Sequence, residues 1–161
     1  MDMNNQADIN KITVSAIKAD IGSIGGHIKP SERLIKAVHD YISDNQGGLL
    51  INFRLSFTGD DIAILCTHRL GVNNAKLHKL AWDAFKAGTE VAFSQGLYGA
   101  GQDLLKDSFS GNIRGLGPAV AEIEFVERKN EAFLFFAADK TDPGAYNLPL
   151  YLSFCDPMHN S

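Results

Sequence analysis

The sequence predicts an α+β domain, a largely antiparallel sheet with helices packed on one face. Segments that alternate apolar and polar residues outnumber those with helical periodicity. Several of them follow one another closely, which favours hairpins over crossovers. Only two stretches carry an apolar stripe at helical spacing.

The first predicted strand covers Lys11 to Lys18, with Ile12, Val14 and Ala16 on one side. It runs through Ala19-Asp20 into a glycine-rich segment, Ile21-Gly22-Ser23-Ile24-Gly25-Gly26-His27. Ser31 suits the N-cap of a helix whose inner face holds Leu34, Ile35, Val38, Tyr41 and Ile42, and Gly47-Gly48 stops it. Leu49 to Thr58 is the plainest strand, with Ile51, Phe53, Leu55 and Phe57 alternating against polar residues. Gly59-Asp60-Asp61 turns the chain into a strand from Ile62 to His68. A second helix runs from about Asn74 to Gln95, with Leu77, Leu80, Ala81, Ala84, Phe85, Val91 and Ala92 inside, and ends at Gly96. Leu97 to Pro118 has no clean period. Its length marks a functional loop, and Leu97, Tyr98, Leu104, Leu105 and Phe109 mark an ordered one. A second hairpin follows, Val120 to Glu127 and Ala132 to Ala138, before the turn Asp142-Pro143-Gly144.

The 161 residues suffice for one domain, placed at Lys11 to Pro157. Met1 to Asn10 is polar and reads as a disordered extension, and Met158 to Ser161 as a tail. A net charge of -4 argues against a nucleic-acid or anionic-membrane binder, each of which needs a basic face. It leaves an anionic substrate open, because a bound cation can invert the local charge. The two cysteines, Cys66 and Cys155, form no framework, the first residues are no signal peptide, and no stretch has the length of a membrane span. A cytoplasmic setting is the expectation.

The chemistry gathers at strand ends. Asp20 follows the first strand, Asp60 and Asp61 the second, and Asp139 the last apolar one. Carboxylates converging at one rim, with an amide such as Gln102, make a hard-oxygen site suited to magnesium. They would also repel one another without a cation. Each residue has a plainer reading. Gly59-Asp60-Asp61 is also an ordinary hairpin turn. Asp20 could cap a turn, Asp139 could pair with Lys140, and His27 could be a surface histidine. Gln102, Asp103 and Asp107 could be solvated loop residues. The glycine-rich segment matches neither GxGxxG nor the P-loop, and no GxSxG, HExxH or Cys-His pattern appears.

Several long strings in one order carry more weight. They are Ile17-Lys18-Ala19-Asp20-Ile21-Gly22-Ser23 with Gly26-His27, then Gly59-Asp60-Asp61, then Gly96-Leu97-Tyr98-Gly99-Ala100-Gly101-Gln102-Asp103-Leu104-Leu105. Asp107 to Pro118 and Ala138 to Tyr151 continue the series. Together they resemble the archaeal-type bifunctional fructose-1,6-bisphosphate aldolase/phosphatase family over about Lys11 to Pro157. The resemblance implies magnesium ligands at Asp20, His27, Asp60, Asp61, Gln102 and Asp139, with Asp20 also activating water. It implies substrate contacts at His27, Tyr98, Gly111, Asn112 and Lys140. It further implies a layered helix-sheet-sheet-helix subunit of which this chain supplies half, and an octamer. The family joins dihydroxyacetone phosphate to glyceraldehyde 3-phosphate and removes the 1-phosphate of fructose 1,6-bisphosphate, giving fructose 6-phosphate for gluconeogenesis. Its Schiff-base lysine and aldolase tyrosine lie in a second half to which no segment here corresponds. Two readings therefore follow: a magnesium-dependent bisphosphatase, or a metal- and sugar-phosphate-binding domain that reacts only with a partner chain.

Overall fold

The computed structural model describes residues 11–105, 117–128, 135, 137 and 147–158. The order is β1 (Lys11–Ala19), α1 (Glu32–Asn45), β2 (Asn52–Thr58), β3 (Asp61–His68), α2 (Ala75–Ser94), a 3-10 turn (Gln102–Leu105), β4 (Ala119–Val126) and α3 (Asn147–Phe154). The four strands form one antiparallel sheet in the order β2-β3-β1-β4. With α1 linking β1 to β2 and α2 linking β3 to β4, the four strands and these two helices form two interleaved split βαβ units.

Local chemistry explains the elements. The β-branched run Ile12-Thr13-Val14 suits a central, buried strand. Ser31 caps α1 by accepting the Leu34 N–H at 3.1 Å, and Leu34, Val38 and Ile42 bury one face at helical spacing. Asn74 caps α2 by accepting from Lys76 and Leu77. The two helices pack on each other and on the sheet face that carries Ile17, Ile64 and Cys66. Gly88 makes that approach possible. A Cβ there would stand 2.7 Å from both Ile21 Cδ1 and Val38 Cγ2.

The structure departs from the predicted elements in two places. The ladder of β2 begins at Asn52 rather than Leu49, because the Leu49 N–H is taken by the Gln46 carbonyl at 2.8 Å. α3 carries no reading in the sequence, since it is apolar all round and so has no stripe. Its Leu148, Leu150, Tyr151, Leu152 and Phe154 are all exposed. The partner strand expected at 132–138, the segment 106–116 and the turn 139–144 lie outside the described residues, apart from Phe135 and Ala137. Among the described residues no helix is long and apolar enough to cross a membrane.

Candidate metal centre

Because β1 and β3 run antiparallel, the end of β1 lies beside the start of β3, with Ala19 opposite Ile62. Asp20 leaves one strand where Asp60 enters the other. Thr58 and Asp61 pair across a two-residue turn whose first position is Gly59, at φ 59°. A left-handed residue there matches the twist of the flanking strands, and glycine adopts it without strain. Asp60 fills the second position and is 1% exposed. The hairpin-turn reading of Gly59-Asp60-Asp61 therefore holds, and the same turn brings Asp60 beside Asp20.

His27 reaches the same place from the glycine-rich segment. Its φ is 67°, an uncommon value for a residue with a side chain, and its N–H donates to Ser23 Oγ at 3.0 Å. Its Nδ1 lies 2.5 Å from Asp60 Oδ2 and 3.6 Å from Asp20 Oδ2. The Tyr98 ring meets the imidazole edge-on at 4.6 Å between centroids. One donor atom from each of Asp20, His27 and Asp60 lies within 4.8 Å of the other two.

The loop after α2 closes the other side. Ser23 and Tyr98 exchange main-chain hydrogen bonds at 2.9 and 3.1 Å. The Gly101 N–H donates to the Ile21 carbonyl, and the Asp103 N–H to the Asp20 carbonyl, both at 3.0 Å. Gln102 Nε2 donates to Asp20 Oδ2 at 3.1 Å, and the Asp20 N–H donates to Asp103 Oδ2 at 2.8 Å. Gly99, at φ 64°, leaves room here. A Cβ on it would stand 3.2 Å from Gln102 Oε1.

Burial, then the charges of Asp60, Asp61 and Asp103, push the Asp20 carboxyl up to about 7 against the opposing pull of His27. Its Oδ1 is buried and has no hydrogen-bond partner among the described residues. A buried, partnerless acceptor among like charges is costly unless a cation answers it. The donor set of two buried carboxylates, an imidazole nitrogen and a neighbouring amide oxygen fits a metal ion by its chemistry.

The structure thus brings Asp20, His27, Asp60, Gln102 and Tyr98 together. Asp61 stands apart from the three-residue cluster, its carboxylate ion-paired with Lys18 on β1. Gly111, Asn112, Asp139 and Lys140 lie outside the described residues. Sequence reasoning gave Asp103 only a solvated-loop reading and Ser23 no role. Spacing offered no signal for Asp103, whose partner lies 83 positions away.

The family model for fructose-1,6-bisphosphatase matches residues 11–161. This chain belongs to that family. Its relatives carry the name fructose-1,6-bisphosphate aldolase/phosphatase. The protein of Thermus thermophilus is 56% identical over 94% of this chain and 42% of its own length. That of Cenarchaeum symbiosum is 58% identical over 94% of this chain and 40% of its own length. That of Moorella thermoacetica is 52% identical over 92% and 39%. The chain therefore spans about two fifths of the length of the curated relatives it matches.

Proposed function

We propose that this centre belongs to a magnesium-dependent sugar bisphosphatase that removes the 1-phosphate of fructose 1,6-bisphosphate to give fructose 6-phosphate. The observation that carries the reading is the Asp20-His27-Asp60 cluster with its partnerless Asp20 oxygen, in a chain of the fructose-1,6-bisphosphatase family. The names of the relatives supply the substrate and the paired aldolase activity.

In this reading Asp20, His27, Asp60, Asp61, Gln102 and Asp139 hold the cation. Magnesium suits oxygen donors and shares its shell readily with phosphate. Bound there, it would neutralise phosphate charge and make a water molecule more acidic. The chain's own groups do the rest. Asp20, ionised beside the cation, would take the proton of the attacking water as the new P–O bond forms and could return it to the sugar oxygen as that bond breaks. Asp60 holds the His27 ring through Nδ1 and so fixes its direction. Tyr98, exposed beside that ring, faces the sugar. Gly111, Asn112 and Lys140 take up phosphate, the lysine as a point charge. Aldol condensation of the triose phosphates, through a lysine imine, is assigned to the complete family protein, in a cytoplasmic homo-oligomer.

Phosphate release from fructose 1,6-bisphosphate, with and without magnesium, tests the reading. Release that requires magnesium and is lost in Asp20→Asn is expected. Release indifferent to magnesium, or to that substitution, sinks it. The length of the relatives favours a second reading, a domain that binds metal and sugar phosphate but reacts only with further polypeptide. Adding the downstream part of a relative then restores release.

A further inference from the structure

We propose that Asp103 is a positioning residue of the metal centre: by accepting the Asp20 peptide N–H it sets how tightly the cation is held, without touching the cation. The inference rests on the magnesium reading above and concerns what holds the ligands of that site.

Asp20 lies one residue beyond the sheet. The β1–β3 ladder ends at Ala19 and Ile62, and the β1–β4 ladder ends at Lys18 and Ala119. The Asp20 main chain is therefore a buried peptide with no strand partner, and its polar groups must be paired some other way. Its carbonyl receives the Asp103 N–H, a bond that any residue but proline at position 103 could make. Its N–H goes to the Asp103 carboxylate. Where Ile21 and Ser23 pair with Gly101 and Tyr98, the bonds are main chain on both sides. Of the links that the loop makes to the main chain of segment 20–23, this one requires a particular side chain.

The neighbouring residue of the 3-10 turn completes the arrangement. Gln102 bonds the Asp20 carboxylate while Asp103 bonds the Asp20 amide, so one turn grips both ends of a ligand residue. A small rotation at Asp20 swings its carboxylate away from Asp60 and His27. Ligands work only when held to within about half an ångström. Outer groups of this kind are worth on the order of 10- to 100-fold in metal affinity.

Magnesium alone, titrated calorimetrically into the chain and its variants, tests the proposal. Asp103→Ala should weaken binding by about 10- to 100-fold. Asp103→Asn, whose amide oxygen can still accept the Asp20 N–H, should stay within about 3-fold of the parent. Affinity unchanged in Asp103→Ala overturns the proposal. So does Asp103→Asn falling 10-fold or more, since that assigns the effect to charge. The asparagine variant alone decides the matter should the alanine variant not fold. Asp60→Asn separates the layers of the argument. A parent that takes up no magnesium, or takes it up equally in Asp60→Asn, removes the site itself and this inference with it. Loss in Asp60→Asn with parental affinity in Asp103→Ala refutes only the positioning role.

Discussion

The two ends of β1 both gather acids and histidines, and they settle them in opposite ways. From the middle of β1 toward the end remote from the metal centre, Ser15 Oγ lies 2.8 Å from both His68 Nε2 and Glu122 Oε1. His78 Nε2 lies 3.1 Å from the same glutamate oxygen, and the Asn73 N–H donates to Oε2 at 2.6 Å. His68 Nδ1 accepts the Leu70 N–H at 3.2 Å, so the ring hydrogen sits on Nε2 and points to Ser15. Ser15 in turn donates to Glu122. Serine, histidine and glutamate are all present, but the proton runs the wrong way for nucleophilic catalysis. Burial pushes Glu122 up, yet the bonds from Asn73, Ser15 and His78 outweigh it and hold its carboxyl below the usual range. At the other end Asp20 is pushed up and one of its oxygens is orphaned. A carboxylate with both oxygens answered by the chain is framework. One left partly unanswered is waiting for something else.

The largest effect that would break this contrast is loss of cation response. Asp60→Asn with Asp61→Asn should abolish the rise in melting temperature that magnesium gives, because only a native-state ligand stabilises by mass action. Glu122→Gln should leave that rise intact. Thermal melts at several magnesium concentrations check both, and equal responses in the two variants would erase the distinction.

Next in size is the framework itself. Glu122→Ala strips the partners from Ser15, His78 and the Asn73 N–H and should lower unfolding stability by about 2–3 kcal/mol in denaturant titrations at pH 7. Glu122 has a folded pKa below its unfolded value, so its contribution is present above the ordinary glutamate range and fades as the pH falls through the folded pKa.

Asp20→Asn should act in the opposite direction in magnesium-free buffer. The folded pKa of Asp20, about 7, lies above its ordinary 3.8. Its stabilising share is thus complete only below about 3.8 and is lost as the pH rises through 7. At pH 8 the ionised group costs stability and asparagine relieves it. The midpoint of denaturant unfolding should rise at pH 8 and converge with the parent by about pH 4. A variant less stable than the parent at pH 8 would show that Asp20, too, is framework.

The smallest effect concerns thiols. Burial first, then the charge of Glu122, pushes the Cys66 thiol up to about 12, whereas Cys155 is exposed. Iodoacetamide at pH 8 should alkylate Cys155 alone in the native chain, as read by mass spectrometry. Glu122→Gln removes only the lesser cause, so Cys66 should stay unmodified in that variant as well.

Local features were the most legible in the sequence. The Ser31 cap, the stop at Gly47-Gly48 and the spans of β1 and β3 depend on near neighbours, and the structure holds them close to where the residues indicated. The pairing of β1 with β4 depends on residues far apart, from Lys11 opposite Val126 to Lys18 opposite Ala119, and no period in the chain announces it. The same boundary runs through the site. Asp20 and Asp60 were visible because strand ends are visible. His27 needed a left-handed turn, and Asp103 needed a partner on another element, which is why composition could treat both as ordinary surface residues.

The donors of the centre come from scattered parts of the chain. His27 and Asp60 are 33 positions apart, and Asp20 and Gln102 are 82 apart. No fragment of the unfolded chain holds them together, so the centre forms only after β1, β3 and the loop beyond α2 have closed on one another. Closures of that span are slow to arrive on a folding route. A cation that recognises only the finished arrangement therefore has little to grip at the folding barrier. It should act as a brake on unfolding and leave the refolding rate almost unchanged.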